Sequence, residues 1–327
     1  MTPIEIAGPA RGDPNPYRGA GGAPLIHTYS IVARDPESGQ LGVAVQSHYF
    51  AVGSIVTWAE AGVGAIATQS VGEPSYGKLG LDLMRAGVAA PDALSGLLVA
   101  DRLRELRQVA MVDAHGRVSA HTGQLAIAEA GHLVGEGFSV QANIMERATV
   151  WPAMANAYQH ACGDLAERML AALDAAEAEG GDLRGRQSAA MLIVDAASTG
   201  RPWIDCVFDV RVDDHPLPLV ELRRLVSIRR AFRHKATGDA AFANGSVEVG
   251  EREYAAAERL TDDAEFRLWH AVGLVNAGQV DDALKIFREL FAADRRWLEL
   301  AERLSRQGAM FTDPASIQRI LDVAPRA

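Results

Sequence analysis

Lysine is nearly absent from this chain of 327 residues; Lys78, Lys235 and Lys285 are the only three. The other cations are arginines, acids outnumber bases, and the formal net charge is −10. A nucleic-acid partner is thereby excluded as the main ligand, because neutralising phosphates requires a basic face. Cysteine is scarce as well: Cys162 and Cys206 are far apart and form neither a disulfide framework nor a metal knuckle. Both are expected to be buried small hydrophobes. No apolar run approaches the roughly 18 residues of a membrane span, and no basic stretch followed by an apolar run marks a signal peptide. The expectation is a soluble cytoplasmic protein. Also missing are a phosphate loop, a dinucleotide fingerprint, a GxSxG elbow and an HExxH helix. His48, His121 and His215 lack metal-ligand spacing, and Asp213-Asp214-His215 reads as a solvated turn. Neither cofactor nor metal is expected.

What is present is a large apolar fraction, 48% of residues, enough for a sizeable core. Residues 1–26 are rich in Pro and Gly and read as a flexible leader. Short, β-branched, Gly-punctuated runs then predict strands. Thr28 to Asp35 and Gly42 to Ser47 form a hairpin across Pro36-Glu37-Ser38-Gly39. Ser54 to Trp58 and Val63 to Thr68 form the next pair, and Pro74-Ser75-Tyr76-Gly77 reads as a turn. Two helices follow, one ending near Gly87 and one opening at Pro91. Gln108–Asp113, Arg117–His121 and Phe138–Asn143 read as strands. Helical pattern covers about 148–159 and 164–178. Ser188–Asp195 and Cys206–Val212 are strands, and Pro218 opens another helix. Helices arriving in pairs between groups of antiparallel strands predict an α+β fold, a four-layer αββα sandwich. Single helices do not alternate with single strands as in a doubly wound sheet.

From about Thr237 the pattern is wholly helical. Four segments of one helix each carry small and aromatic residues where helix pairs pack, which reads as roughly two tetratricopeptide-like units. The predicted organisation is a leader over 1–26, a sandwich over 27–235 and a small all-α domain over 236–327. The helices either cap the sandwich, mediate self-association into a homo-oligomer, or capture a peptide.

Thr28-Tyr29-Ser30-Ile31-Val32-Ala33-Arg34-Asp35, Gly42 to Ser47 and Trp58 to Gln69 resemble the family called domain of unknown function 1028. Pro74 to Gly77, Val140 to Ile144, Gly185 to Ala190 and Asp209 to His215 extend the likeness over about residues 27–235. The resemblance implies an N-terminal-nucleophile hydrolase fold. In that fold the hydroxyl of a first residue attacks an amide carbonyl and its own α-amine is the base. Thr28 is the candidate nucleophile, and the route requires cleavage between His27 and Thr28. Uncleaved, Thr28 is an ordinary strand residue. Ser30, two residues on, shares its face of the strand. Gln46 and Ser47 end the partner strand, about where hydrolases of this fold keep a polar residue beside the nucleophile. Proteasome-like members have Asp there and a Lys further on; here Gln46 stands and no Lys precedes Lys78.

Asn143 is a candidate oxyanion donor, with Gln141 on the same strand face; both also suit structural hydrogen bonding, as does Gln69. Arg34, Glu60, Arg186, Gln187 and Ser188 are polar residues inside apolar blocks. They read either as buried ion pairs or as recognition of a carboxylate or ureido group. The functional expectation is a metal-independent amidohydrolase acting on a small linear or cyclic amide. The alternative is an inactive hydrolase-fold binding module whose C-terminal helices recruit a partner.

Overall fold

The computed structural model describes residues 25–26, 28–306 and 313–325. The expected leader therefore lies outside the described residues, except for its last two. Those two are a strand.

The chain divides into two compact units, one ending at Arg224 and one beginning at Leu225. The first unit is built on two antiparallel sheets. In chain order its strands are β1 (Leu25–Ile26), β2 (Thr28–Arg34), β3 (Leu41–Ser47), β4 (Thr57–Glu60), β5 (Gly64–Val71), β6 (Arg107–Asp113), β7 (Val118–Thr122), β8 (Gly131–Gly135), β9 (Phe138–Ala142), β10 (Ser188–Val194) and β11 (Cys206–Val212). One sheet runs β1-β5-β6-β7, with β4 also on β5; the other runs β11-β10-β3-β2-β9-β8.

The period of two in each strand decides what lies between the sheets. Val32, Val43, Val45 and Ala190 of one sheet share a core with Ala65, Ala67, Ala110 and Val112 of the other. Small residues on the second sheet suit close approach. Alternate residues face the helices. Ile66, Val109 and Met111 pack under α1 (Ser75–Arg85) and α2 (Ala90–Ala100). On the other sheet, α3 (Val150–His160) and α4 (Leu165–Ala178) pack against β9, β2 and β3. Phe138 of β9 meets Tyr158 of α3 with ring centroids 4.7 Å apart.

Three local expectations change. Pro74 to Gly77 is not a free turn, since Ser75 opens α1. A side chain at Gly77 would sit 2.2 Å from the Trp58 ring, so glycine lets the helix lie on β4. The run at Ser54 begins as a single 3-10 turn, because Ala51 takes φ 52° and kinks the chain before β4. β8 has no counterpart in the sequence reading; its glycine ends and half-buried edge position hide the strand signal. Of the cysteines, Cys162 is exposed, following the end of α3, and Cys206 is half-buried.

A short helix, α5 (Pro202–Asp205), precedes β11, and α6 (Pro218–Ala243) contains the 224/225 boundary. The break falls ahead of the texture change in sequence because α6 runs on unbroken for 26 residues. The second unit is helical: α7 (Val247–Glu258), α8 (Ala264–Asn276), α9 (Val280–Ala293), α10 (Arg295–Arg306) and α11 (Pro314–Asp322). Successive helices pack on one another around Leu268, Phe287 and Leu290. Among the described residues, no helix is long and apolar enough to cross a membrane.

A polar cluster between the sheets as the candidate functional site

Register places the candidate residues. On β2, Thr28, Ser30 and Val32 alternate toward the inter-sheet core, while Tyr29, Ile31 and Ala33 face the helices. Thr28 pairs with Ser47 of β3, and Ser47 pairs with Ser188 of β10. On the other flank, Ser30 pairs with Gln141 of β9. The Asn143 backbone N–H donates to the Thr28 carbonyl at 3.0 Å. Thr28, Ser30, Ser47, Gln141, Asn143 and Ser188 thus fall on one interior face, Gln69 lies on β5 of the facing sheet, and all are fully buried.

The facing sheet completes a network. Ser30 Oγ donates to Gln69 Oε1 at 2.6 Å and accepts from Gln141 Nε2 at 2.6 Å. Gln69 Nε2 donates to Gln108 Oε1 at 2.7 Å and to the Thr28 carbonyl at 3.1 Å. Asn143 Nδ2 donates to Gln108 Oε1 at 2.8 Å and to the same carbonyl at 3.4 Å. Gln108 Nε2 donates in turn to Thr122 Oγ1 at 2.9 Å and to the Ala142 carbonyl at 2.9 Å. Thr122 Oγ1 lies 2.8 Å from His132 Nδ1. Since Thr122 Oγ1 already accepts from Gln108, its own proton is available to that nitrogen, which fits a neutral ring. Burial holds His132 below the ordinary imidazole range, and His121 adds to the depression.

Thr28 differs from every neighbour. Its carbonyl accepts from Asn143 N, Asn143 Nδ2 and Gln69 Nε2, yet its buried Oγ1 has no partner among the described residues. A buried hydroxyl left unpaired costs about 1–3 kcal/mol, so such a group in a native fold calls for a reason. Two backbone irregularities flank the cluster. Ser70, after Gln69, has φ 71°, and Ile144, after Asn143, has φ 55°. For a β-branched residue this region is strongly disfavoured, and strain of this kind gathers at functional sites.

Immediately before Thr28, Leu25 and Ile26 pair with Val71 and Ser70 of β5. Ile26 is fully buried in the inter-sheet core. The chain therefore passes from one sheet to the other just ahead of the candidate nucleophile. His27, and with it the bond whose cleavage would free the Thr28 amine, lies outside the described residues.

Other sequence candidates lie elsewhere. Gln46 pairs with Tyr29, so it faces the helices. With its nitrogen toward α4, its amide donates to Tyr29 Oη and, at 2.8 Å, to Glu177 Oε1, and accepts from Ser47 N at 3.1 Å. Tyr29 Oη donates to Glu177 at 2.6 Å, and Arg186 is ion-paired with Glu177. Burial pushes the Tyr29 phenol well above its usual range, with the Glu177 carboxylate reinforcing the shift. Ser188 is on the interior face, but its hydroxyl bonds the Tyr49 carbonyl. Gln187 donates to Asp214 at 3.2 Å. Glu60 is ion-paired with Arg85 at the surface. Arg34 ends β2 about 20 Å from Thr28, six residues at the strand rise.

Sequence reasoning did not single out Gln108, Thr122, His132 or Tyr29. A signal existed for Gln108, an amide opening the otherwise apolar run Val109 to Val112. Among the described residues, no group of three or more His, Cys, Asp or Glu side chains is placed to hold a metal ion.

The family model described as "Family of unknown function (DUF1028)" matches residues 28–222. A crystal structure of a protein from Silicibacter pomeroyi, given the same family designation, is similar to this chain at 30% identity with a TM-score of 0.55. The similarity covers 61% of this chain and 87% of that one. No curated protein matches.

Proposed function

The chain belongs to the DUF1028 family, and we propose that it is an amidohydrolase of the N-terminal-nucleophile type, with Thr28 as nucleophile once the bond after His27 is cut. On this reading the first unit is a four-layer αββα sandwich, and the second is a tetratricopeptide-like appendage for self-association. The observation that carries the reading is the asymmetry at Thr28: the carbonyl is held by three donors while the buried hydroxyl beside it has no partner. A nucleophile needs a fixed backbone and an uncommitted oxygen. The family match also begins at this residue.

Cleavage would give Thr28 an α-amine with a pKa near 7.7–8.0, suited to a general base at neutral pH. The amine takes the Oγ1 proton as the oxygen attacks a substrate amide carbonyl. The tetrahedral intermediate collapses, the proton passes to the leaving nitrogen, and an ester remains on Thr28. Water, activated by the same amine, hydrolyses the ester to a carboxylic acid. Release of Leu25–Ile26 would open the edge of β5 beside Thr28, which is where the substrate, a small linear or cyclic amide, would enter. Asn143, freed from its bonds to the Thr28 carbonyl and Gln108, is the candidate oxyanion donor.

A second reading, a binding module without catalysis, has one observation in its favour. The cluster consists of amides and hydroxyls with one imidazole, and the residue beside Tyr29 is Gln46, turned to the opposite face.

Two measurements separate the readings. Intact-mass analysis should show a chain starting at Thr28. Hydrolysis of a panel of linear and cyclic amides should fall roughly 10³-fold or more in Thr28→Ala and survive in part in Thr28→Ser. Full activity with the leader attached removes the amine as base. Unchanged turnover in Thr28→Ala removes the nucleophile.

A further inference from the structure

A concave site lies at the opposite end of β2 from Thr28 and is independent of the Thr28 reading. Arg34 and Arg168 both line a cavity of about 430 Å³, together with His115, Glu136 and the turn glycines Gly116 and Gly137. The volume falls within the range of small-molecule sites.

The two arginines are in different electrostatic states. Arg168 is mostly buried, ion-paired with Asp35 at 3.1 Å and stacked over the Tyr158 ring at 4.3 Å. Its guanidinium is therefore fixed, and Asp35 is already neutralised; Asp35 also accepts from the backbone and hydroxyl of Ser38. Arg34 has no such partner. Its Nε donates to the Ala114 carbonyl at 2.8 Å, and among the described residues no carboxylate lies within ion-pairing distance of it. Burying part of a guanidinium without a counter-charge is unfavourable unless an anion completes it. Tying down Nε orients the fork and leaves the two terminal nitrogens, the pair that meets a carboxylate end-on in two parallel hydrogen bonds. Gly116 (φ 78°) and Gly137 (φ 72°) make that wall from backbone instead of side chains.

We propose that this cavity binds a small polar carboxylate, with Arg34 as its principal ligand and Arg168 as a fixed second charge. The lining carries one acid, Glu136, against two arginines, a surplus of one positive charge, so a monoanion fits its balance and a phosphate dianion does not. Of the alternatives the sequence leaves for Arg34, a buried ion pair or recognition of a carboxylate or ureido group, the proposal takes carboxylate recognition and places it away from Thr28.

The test is calorimetric titration of the full chain with lactate, acetate and inorganic phosphate at constant ionic strength. One lactate or acetate should bind per chain, with phosphate no tighter. Arg34→Gln should weaken carboxylate binding about tenfold or more, since a charge-assisted bidentate contact is lost. Arg34→Lys, which keeps the charge and is the milder change for folding, should still lose most of the affinity because the fork is gone. Thr28→Ala should bind as the wild type does. Absence of saturable carboxylate binding would overturn the assignment. So would wild-type affinity in both Arg34 variants, or phosphate binding tenfold tighter than lactate.

Discussion

Replacing Gln108 with Met tests whether the inter-sheet amides act as one unit. The swap nearly conserves volume and removes a group that accepts from Gln69 and Asn143 and donates to Thr122 and the Ala142 carbonyl. Those four bonds span 2.7–2.9 Å, and each contributes about 1 kcal/mol net. Gln69 and Asn143 keep the Thr28 carbonyl as an acceptor, and the thioether adds some apolar burial, which offsets about 1 kcal/mol. The expected loss is about 3 kcal/mol. For a unit of this size that corresponds to a fall of roughly 6–12 °C in Tm. Urea unfolding combined with hydrogen exchange of the β2 and β9 amides reads this unit apart from the helical one. If the residues form one network, Gln69→Met and Gln108→Met together should cost less than the sum of the singles, by about 1 kcal/mol or more. A loss below about 0.5 kcal/mol, or strict additivity, would refute the account of a coupled cluster.

Three further outcomes follow from the same contacts. His132 is held below its ordinary value by burial, so the unfolded chain binds the proton more readily. Stability should therefore be intact above about pH 6.5 and decline as pH falls toward the folded-state pKa; in His132→Phe that part of the pH profile should flatten, and an unchanged slope would remove His132 as its source. Arg107 is buried and bonds Asp101 at 2.8 Å and the Val71 carbonyl at 2.8 Å. Arg107→Met should cost about 3–5 kcal/mol because it strands a buried carboxylate, whereas the double change with Asp101→Leu should recover part of that loss in urea unfolding. Ser70→Gly relieves a left-handed backbone position, φ 71°, and should leave Tm unchanged or raise it by a few degrees, by about 1 kcal/mol.

Much of the architecture was legible because its signals are local. Period-two runs marked β2, β3, β5, β6, β9, β10 and β11, and period-3.6 runs marked the paired helices. What escaped was decided by contacts distant in sequence. Leu25–Ile26 is too short to carry a strand pattern and exists because β5 offers an unpaired edge. β8 is held by β9, not by its own propensity. The same division runs through the site. Thr28, Ser30, Gln69, Gln141 and Asn143 stood out as polar residues at strand ends. Gln108 and His132 join them only through the register of two different sheets. Gln46 and Ser47 are adjacent in sequence, yet β pleating turns them to opposite faces, so only Ser47 shares the Thr28 face.

That pleat also narrows the chemistry. In the uncleaved chain the Thr28 nitrogen is an amide and has no basicity to offer its own hydroxyl. The surrounding cluster contains neutral amides and hydroxyls, and its one imidazole, His132, is reached from Thr28 only through Gln108 and Thr122. Among the described residues, no base is hydrogen-bonded to Thr28 Oγ1. On the proposed reading the hydroxyl is positioned but not activated, and the α-amine that cleavage would add to the same residue is the group the arrangement lacks. Activity in this site should therefore appear together with the new N-terminus, and its rise with pH should follow the titration of a single amine near pH 8. A rate independent of pH from 6 to 9 would exclude that amine as the base.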